Sequence, residues 1–278
     1  MSIKVAKKNP KEMSFLDHLE ELRWHIVRSL VAVAVFSLMA FLLKDFFFGK
    51  LILGPSRIDF YTYRMLCEYS EKLGLEALCI KELPFVIQSR QMAGQFSMHV
   101  ISSFVIGLIC AFPYAFWEIW GFIAPGLYYN EKKIARGATF FVSLLFMIGV
   151  VFGYYVIAPL SINFLSNYQV DPSVLNQFDI TSYVTTLTML VLACAFVFQL
   201  PIVVYFLTKA GLINAQFMRS YRRHAVVVIL ILGALITPPD PFSQVLVSLP
   251  LYGLYEISIY ISAIVTRRRK KKEALEAL

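Results

Sequence analysis

Long apolar runs alternate with short clusters of charge along this chain. Runs of the length a helix needs to cross a bilayer, about 20 residues, lie at 26–43, 97–120, 138–164 and 182–207, and a shorter pair follows at 225–236 and 245–265. The pattern predicts an all-α integral membrane protein with six transmembrane helices in a single membrane domain, 1–278. The fifth run is short for a full crossing. It meets the sixth through Thr237, Pro238, Pro239, Asp240 and Pro241, where three prolines cannot continue a helix. Such a pair implies local bilayer thinning or an end of the protein that stops short of the far interface.

Ahead of the first run, Ser14 to Asp17 has the form of a helix cap. From there Phe15, Leu19, Leu22 and Ile26 recur at offsets of 4, 3 and 4, an apolar stripe suited to the membrane surface before the chain dives in. Asp17, Glu21, Trp24 and Arg28 share another face. The plain expectation there is a solvated surface with Glu21 paired to Arg23 or Arg28.

Composition supports the pattern: 58% of the 278 residues are apolar and 16% charged, with a mean hydropathy of +0.66. A soluble domain carries roughly a quarter charged residues. The net charge of +8 does not mark a nucleic-acid binder, because the bases sit in clusters between apolar runs. With six spans, the terminal side holds 18 Lys and Arg and the opposite side 7, all within 44–95. Both termini, with the basic tail 266–278, are therefore expected in the cytoplasm. No cleavable signal peptide is expected, since the first apolar run begins late and no small-residue cleavage pattern follows it.

The segment 44–95 is the sizeable extracytoplasmic loop. Its Cys67 and Cys79 are candidates for a disulfide stapling a helical hairpin between Tyr63 and Glu82, although spacing alone does not bring two Cα atoms into bonding reach. Cys110 and Cys194 fall within spans and read as small apolar residues. Glu118 ends the second run, where a side chain can snorkel to water. Glu256 lies inside the sixth and must be protonated, hydrogen-bonded or open to a wet groove. Gln199, followed by Pro201, marks a bend midway along the fourth span. Gly149 and Gly153 form a small-xxx-small pattern for tight helix packing. The four histidines show no metal spacing, and no nucleophile, metal or phosphate motif occurs. Neither a catalytic residue nor a cofactor is expected. An integral membrane enzyme or a small-molecule secondary transporter stands as the alternative class, but no convincing internal repeat supports the latter.

Three motifs together resemble the TatC family, the multi-spanning receptor subunit of the twin-arginine protein translocase. They are Phe15-Leu-Asp-His-Leu-Glu-Glu-Leu-Arg23; Trp120-Gly-Phe-Ile-Ala-Pro-Gly-Leu127 followed by Glu131; and Thr237-Pro-Pro-Asp-Pro-Phe-Ser-Gln244 continuing through Pro250-Leu-Tyr-Gly-Leu-Tyr-Glu256. The resemblance implies a concave, glove-like six-helix arrangement in the bacterial inner membrane. It implies binding of the twin-arginine signal peptides of folded precursors at the cytoplasmic face, partners of the TatA and TatB type, self-association, and transport driven by the proton motive force.

By the same resemblance Glu21 and Glu131 match glutamates implicated in arginine recognition, and carboxylates do suit a guanidinium fork. Arg23 matches a position beside the first glutamate and would orient it or keep it ionised. Phe122 matches an aromatic that would supply apolar contact. Thr237 and Gln244 match a polar cluster that contacts TatA or TatB helices. Asp240 matches an aspartate in the turn between helices five and six, as a structural cap or a direct contact. Gln199 stands where many members carry a glutamate facing the concave side, and Glu118 where a glutamine is often found. The expectation is that the groove keeps one carboxylate, moved toward its cytoplasmic end. The loop 44–95 is longer than in commonly known members.

Overall fold

A computed structural model describes residues 15–74, 79–80, 82–123, 132–236 and 241–276. The helices are α1 (Phe15–Leu42), α2 (Tyr61–Leu73), α3 (Gly94–Ile123), α4 (Lys132–Phe152), α5 (Ala158–Asn167), α6 (Ile180–Val197), α7 (Leu200–Lys209), α8 (Ala215–Ser220), α9 (Arg222–Ile236) and α10 (Pro241–Glu276). Two short strands, β1 (Val86–Gln88) and β2 (Gln177–Asp179), pair in parallel with Ile87 opposite Phe178. Among the described residues, five helical stretches are long and apolar enough to cross a membrane: Leu19–Leu42, Gly94–Phe122, Thr139–Asn167, Ile180–Lys209 and Gln244–Arg269. The run at 225–236 lies in α9, which has 15 residues and at 1.5 Å per residue is shorter than a bilayer core of about 30 Å. The helix of the last span does not stop at the expected tail boundary but continues to Glu276, because Arg, Lys, Glu, Ala and Leu are all good helix formers.

Two spans break next to a proline. Pro159 has no N–H to offer the Tyr155 carbonyl one turn earlier, and the third span loosens there into a π-helical turn, Gly153–Ile157, before α5 begins. The Thr62 hydroxyl of α2 donates to that orphaned Tyr155 carbonyl at 2.5 Å. In the fourth span Pro201 denies a donor to Val197, and the helix divides at Phe198 and Gln199 into α6 and α7. Pro113 and Pro250 lie inside uninterrupted helices.

The segment after α1 is irregular, with a π-helical turn Phe47–Ile52 and a 3-10 turn Gly54–Ser56. Its carbonyls find tyrosine hydroxyls, since irregular backbone at a membrane edge cannot stay unpaired. Tyr154 donates to Leu51 at 2.7 Å and Tyr183 to Ile52 at 3.0 Å. Tyr63, fully enclosed, shares its one hydrogen between the carbonyls of Pro55 (2.9 Å) and Pro159 (3.1 Å). Burial raises its pKa far above the ordinary phenol range, so it stays a donor.

Cys67 and Cys79 are joined in a disulfide. The expected helical hairpin is not what it staples. α2 ends at Gly74, in the left-handed region at φ 66°, and the described residues of the return limb are non-helical until they reach β1.

The chain divides into two compact units, Met1–Leu42 with Ser103–Ser143, and Leu43–Ser102 with Leu144–Leu278. In the first, α1 and α3 approach closely at Gly107, where a Cβ would collide with the Ser37 backbone nitrogen at 2.5 Å. In the second, Ile157, Leu190, Cys194, Ile229, Val247 and Leu251 form a core, and α10 packs along α7 and α9. Gly149 and Gly153 fit against α6: a Cβ on Gly149 would stand 2.7 Å from the Ala195 Cα, and one on Gly153 3.0 Å from the Val191 Cα.

Candidate functional site

In the first unit, α1 and α3 meet along two matched rows. Glu21, His25 and Arg28 recur at offsets of 4 and 3 along α1, while Tyr114, Glu118 and Phe122 recur at intervals of 4 along α3, so each row lies on one helix face. Glu118 is only 5% exposed. Its Oε2 accepts from His25 Nδ1 at 2.6 Å and lies 3.7 Å from Arg28 Nη1. Its Oε1 accepts from the Tyr114 hydroxyl at 2.8 Å. Snorkelling toward water, the plain reading of this glutamate, is therefore corrected. Two cationic or potentially cationic groups and a phenol hold it inside, because a buried carboxylate needs partners for both oxygens.

Glu21 lies half-buried one turn before His25. The expected pairing of Glu21 with Arg23 or Arg28 is also corrected. Arg23 is exposed, approaches Glu20 at 4.0 Å and lies over the Trp24 ring at 5.5 Å, while Arg28 turns to Glu118. An α-helix puts Arg23 some 200° around from Glu21, so it cannot share that face. Phe122 is half-buried, with its ring 6.2 Å from that of His25. Glu131 and Ser14 lie outside the described residues.

The remaining candidates that are described belong to the second unit. Gln244 donates from Nε2 to the Leu230 carbonyl of α9 at 3.0 Å. Glu256 is hydrogen-bonded: Arg222 Nη2 reaches its Oε2 at 2.7 Å, and the Tyr252 hydroxyl donates to Oε1 at 3.1 Å. Gln199 occupies the break between α6 and α7, where its carbonyl accepts from the Ile202 and Val203 N–H groups. Thr237 and Asp240 lie outside the described residues. Among the described residues no group of three or more His, Cys, Asp or Glu could hold a metal ion.

Sequence reasoning singled out Glu21, Glu118 and Phe122 but missed His25 and Tyr114 as their neighbours. The signal was present in the spacing. His25 stands four residues after Glu21, and Tyr114 four before Glu118.

Helices of membrane-spanning length, broken at prolines and carrying enclosed ionisable residues, define a polytopic integral membrane protein built around interhelical polar contacts. Comparison with known proteins makes that class specific. The family model described as Sec-independent protein translocase protein (TatC) matches residues 17–250. A TatC from Blattabacterium sp. subsp. Periplaneta americana is 37% identical over 269 residues, covering 95% of this chain and all of that protein. The TatCy protein of Bacillus subtilis is 31% identical over 272 residues, covering 98% and 97%. A crystal structure of the twin-arginine translocase receptor TatC superposes with a TM-score of 0.69 at 28% identity, covering 88% of this chain and 99% of that one. The chain belongs to the TatC family of protein translocase components.

Proposed function

We propose that this chain is the receptor and core subunit of a twin-arginine translocase. It binds the twin-arginine signal peptides of folded precursor proteins at the cytoplasmic face and, with TatA-type and TatB-type partners, exports them using the proton motive force. In this reading six spans form a concave bundle in the inner membrane, with both termini in the cytoplasm.

The observation that carries the reading is the α1–α3 contact. Glu21 sits half-buried on the same helix face as His25, whose ring lies 6.2 Å from that of Phe122. A carboxylate one helical turn from a histidine–phenylalanine pair suits a guanidinium followed by apolar signal-peptide residues. The neighbouring arginines, Arg23 and Arg28, are engaged with Glu20 and Glu118 and do not neutralise Glu21. Glu131 is the second acceptor. Thr237 and Gln244 contact the partner helices, where hydrogen bonds within lipid are worth about 0.6 to 2 kcal/mol and suit reversible docking. Glu118 is the groove carboxylate in place of Gln199.

The test is site-specific crosslinking from positions 21 and 131 to a twin-arginine peptide. Crosslinks should form and should be lost when both arginines of the peptide become lysines, and the double variant Glu21→Ala, Glu131→Ala should lose binding and export. Normal binding and export by that variant would sink the assignment.

A further inference from the structure

Glu118 and His25 do more than hold two helices together. The carboxylate meets His25 Nδ1 at 2.6 Å, the Tyr114 hydroxyl at 2.8 Å and Arg28 Nη1 at 3.7 Å. On its own helix the His25 backbone carbonyl accepts from the Ser29 hydroxyl at 2.9 Å, and the His25 ring lies 6.2 Å from that of Phe122, tilted by 55°. The bond joins residues 93 positions apart, so it sets the rotation of α1 against α3. Glu21 lies one turn from His25 on the same face, and turning α1 by a single residue would swing it through about 100°. Recognising a planar guanidinium by two parallel bonds tolerates errors of only about 10–20°.

We propose that Glu118 is a positioning residue for twin-arginine recognition, acting through His25 to aim the Glu21 carboxylate. The inference rests on the receptor reading above and gives that reading a mechanism for telling arginine from lysine. Lysine is a point charge on a flexible stem and tolerates a misdirected carboxylate, whereas the planar arginine fork does not. Loss of the Glu118–His25 bond therefore falls on discrimination between the two peptides.

The experiment uses the full chain in detergent micelles and two fluorescent peptides, one bearing a twin-arginine motif and the other twin lysines in its place. Wild type should prefer the twin-arginine peptide. A wild type that prefers neither overturns the receptor reading itself, and this inference with it. Given that preference, Glu118→Gln and His25→Ala should each narrow the ratio of the two affinities on the order of tenfold. His25→Asn, which keeps a side-chain N–H directed at Glu118, should preserve it. In a Glu21→Ala background, Glu118→Gln should have no further effect. The proposal is overturned, with the receptor reading intact, by any one of three results. They are equal weakening of both peptides by Glu118→Gln and His25→Ala, an effect of Glu118→Gln that adds in full to Glu21→Ala, or loss of discrimination by His25→Asn as complete as by His25→Ala.

Discussion

Asp179 does three jobs, two with its side chain and one with its backbone. It stands immediately before α6, where its Oδ1 accepts the Thr181 N–H at 2.8 Å as the helix cap. Its Oδ2 accepts the Arg90 N–H at 3.0 Å, and its backbone closes the β1–β2 ladder opposite Gln88. The hydrogen bonds from Thr181, then that from Arg90, hold its carboxyl below the ordinary aspartate range. A depressed native pKa means that the unfolded chain takes up the proton first as pH falls. The stabilisation is complete above the unfolded value, about 3.9, and drains away as pH drops through the lower native one. Asp179→Ala should lower the thermal unfolding temperature at pH 7, and the gap to wild type should narrow progressively as pH falls below about 4. Unfolding curves in micelles across pH 3 to 7 read both. A gap that stays constant across that range would mean the carboxylate's charge contributes nothing.

At the scale of elements, the contact of the third span with α6 shows which glycines matter. A Cβ at Gly149 would press on Ala195 Cα at 2.7 Å and on the Cys194 carbonyl at 2.9 Å, both backbone atoms that cannot step aside. Gly137, in the same helix α4, has nothing within 4 Å. Overpacking costs about 1–3 kcal/mol, whereas replacing a helical glycine in open space gains up to about 1 kcal/mol. Gly149→Ala should therefore destabilise, and Gly137→Ala should be neutral or stabilising, in denaturant titrations of the purified protein. Matching losses for the two would show that glycine flexibility, not close approach, is what the helix requires. The small-xxx-small spacing made this contact legible in advance, as the apolar runs did the spans and Pro201 the break at Phe198 and Gln199. The π-helical turn at Gly153–Ile157 was not legible. Its cause, Pro159, is in the sequence, but the answering donor, Thr62, comes from a helix 93 residues earlier. The same holds for His25 and Glu118: each spacing is visible along its own helix, and only folding sets the two rows face to face. β1 and β2, at three residues each, are too short for any alternation to announce them.

On the scale of the whole molecule, the two units separate two kinds of chemistry. The α1–α3 contact with Glu21, His25, Glu118 and Phe122 belongs to one unit, and the Cys67–Cys79 disulfide with its tyrosine-capped surroundings to the other. The proposed orientation, with 44–95 on the oxidising side, makes a further demand, since a disulfide persists mainly in an oxidising compartment. In cells with an oxidising outer compartment, neither Cys67 nor Cys79 should take up a maleimide reagent before reduction, and both should do so after it. Two free thiols before reduction would contradict the orientation drawn from lysine and arginine. The bond closes a loop between cysteines 12 residues apart, so breaking it with Cys67→Ser should cost about 2–3 kcal/mol of stability. That loss should be confined to its own unit. Resistance to thermal unfolding and to proteolysis within 44–95 should fall, while the preference proposed above for twin-arginine over twin-lysine peptide should not change. If Cys67→Ser erased that preference at a temperature where the protein remains folded, the recognition proposed for α1 and α3 would not rest on their own contact alone.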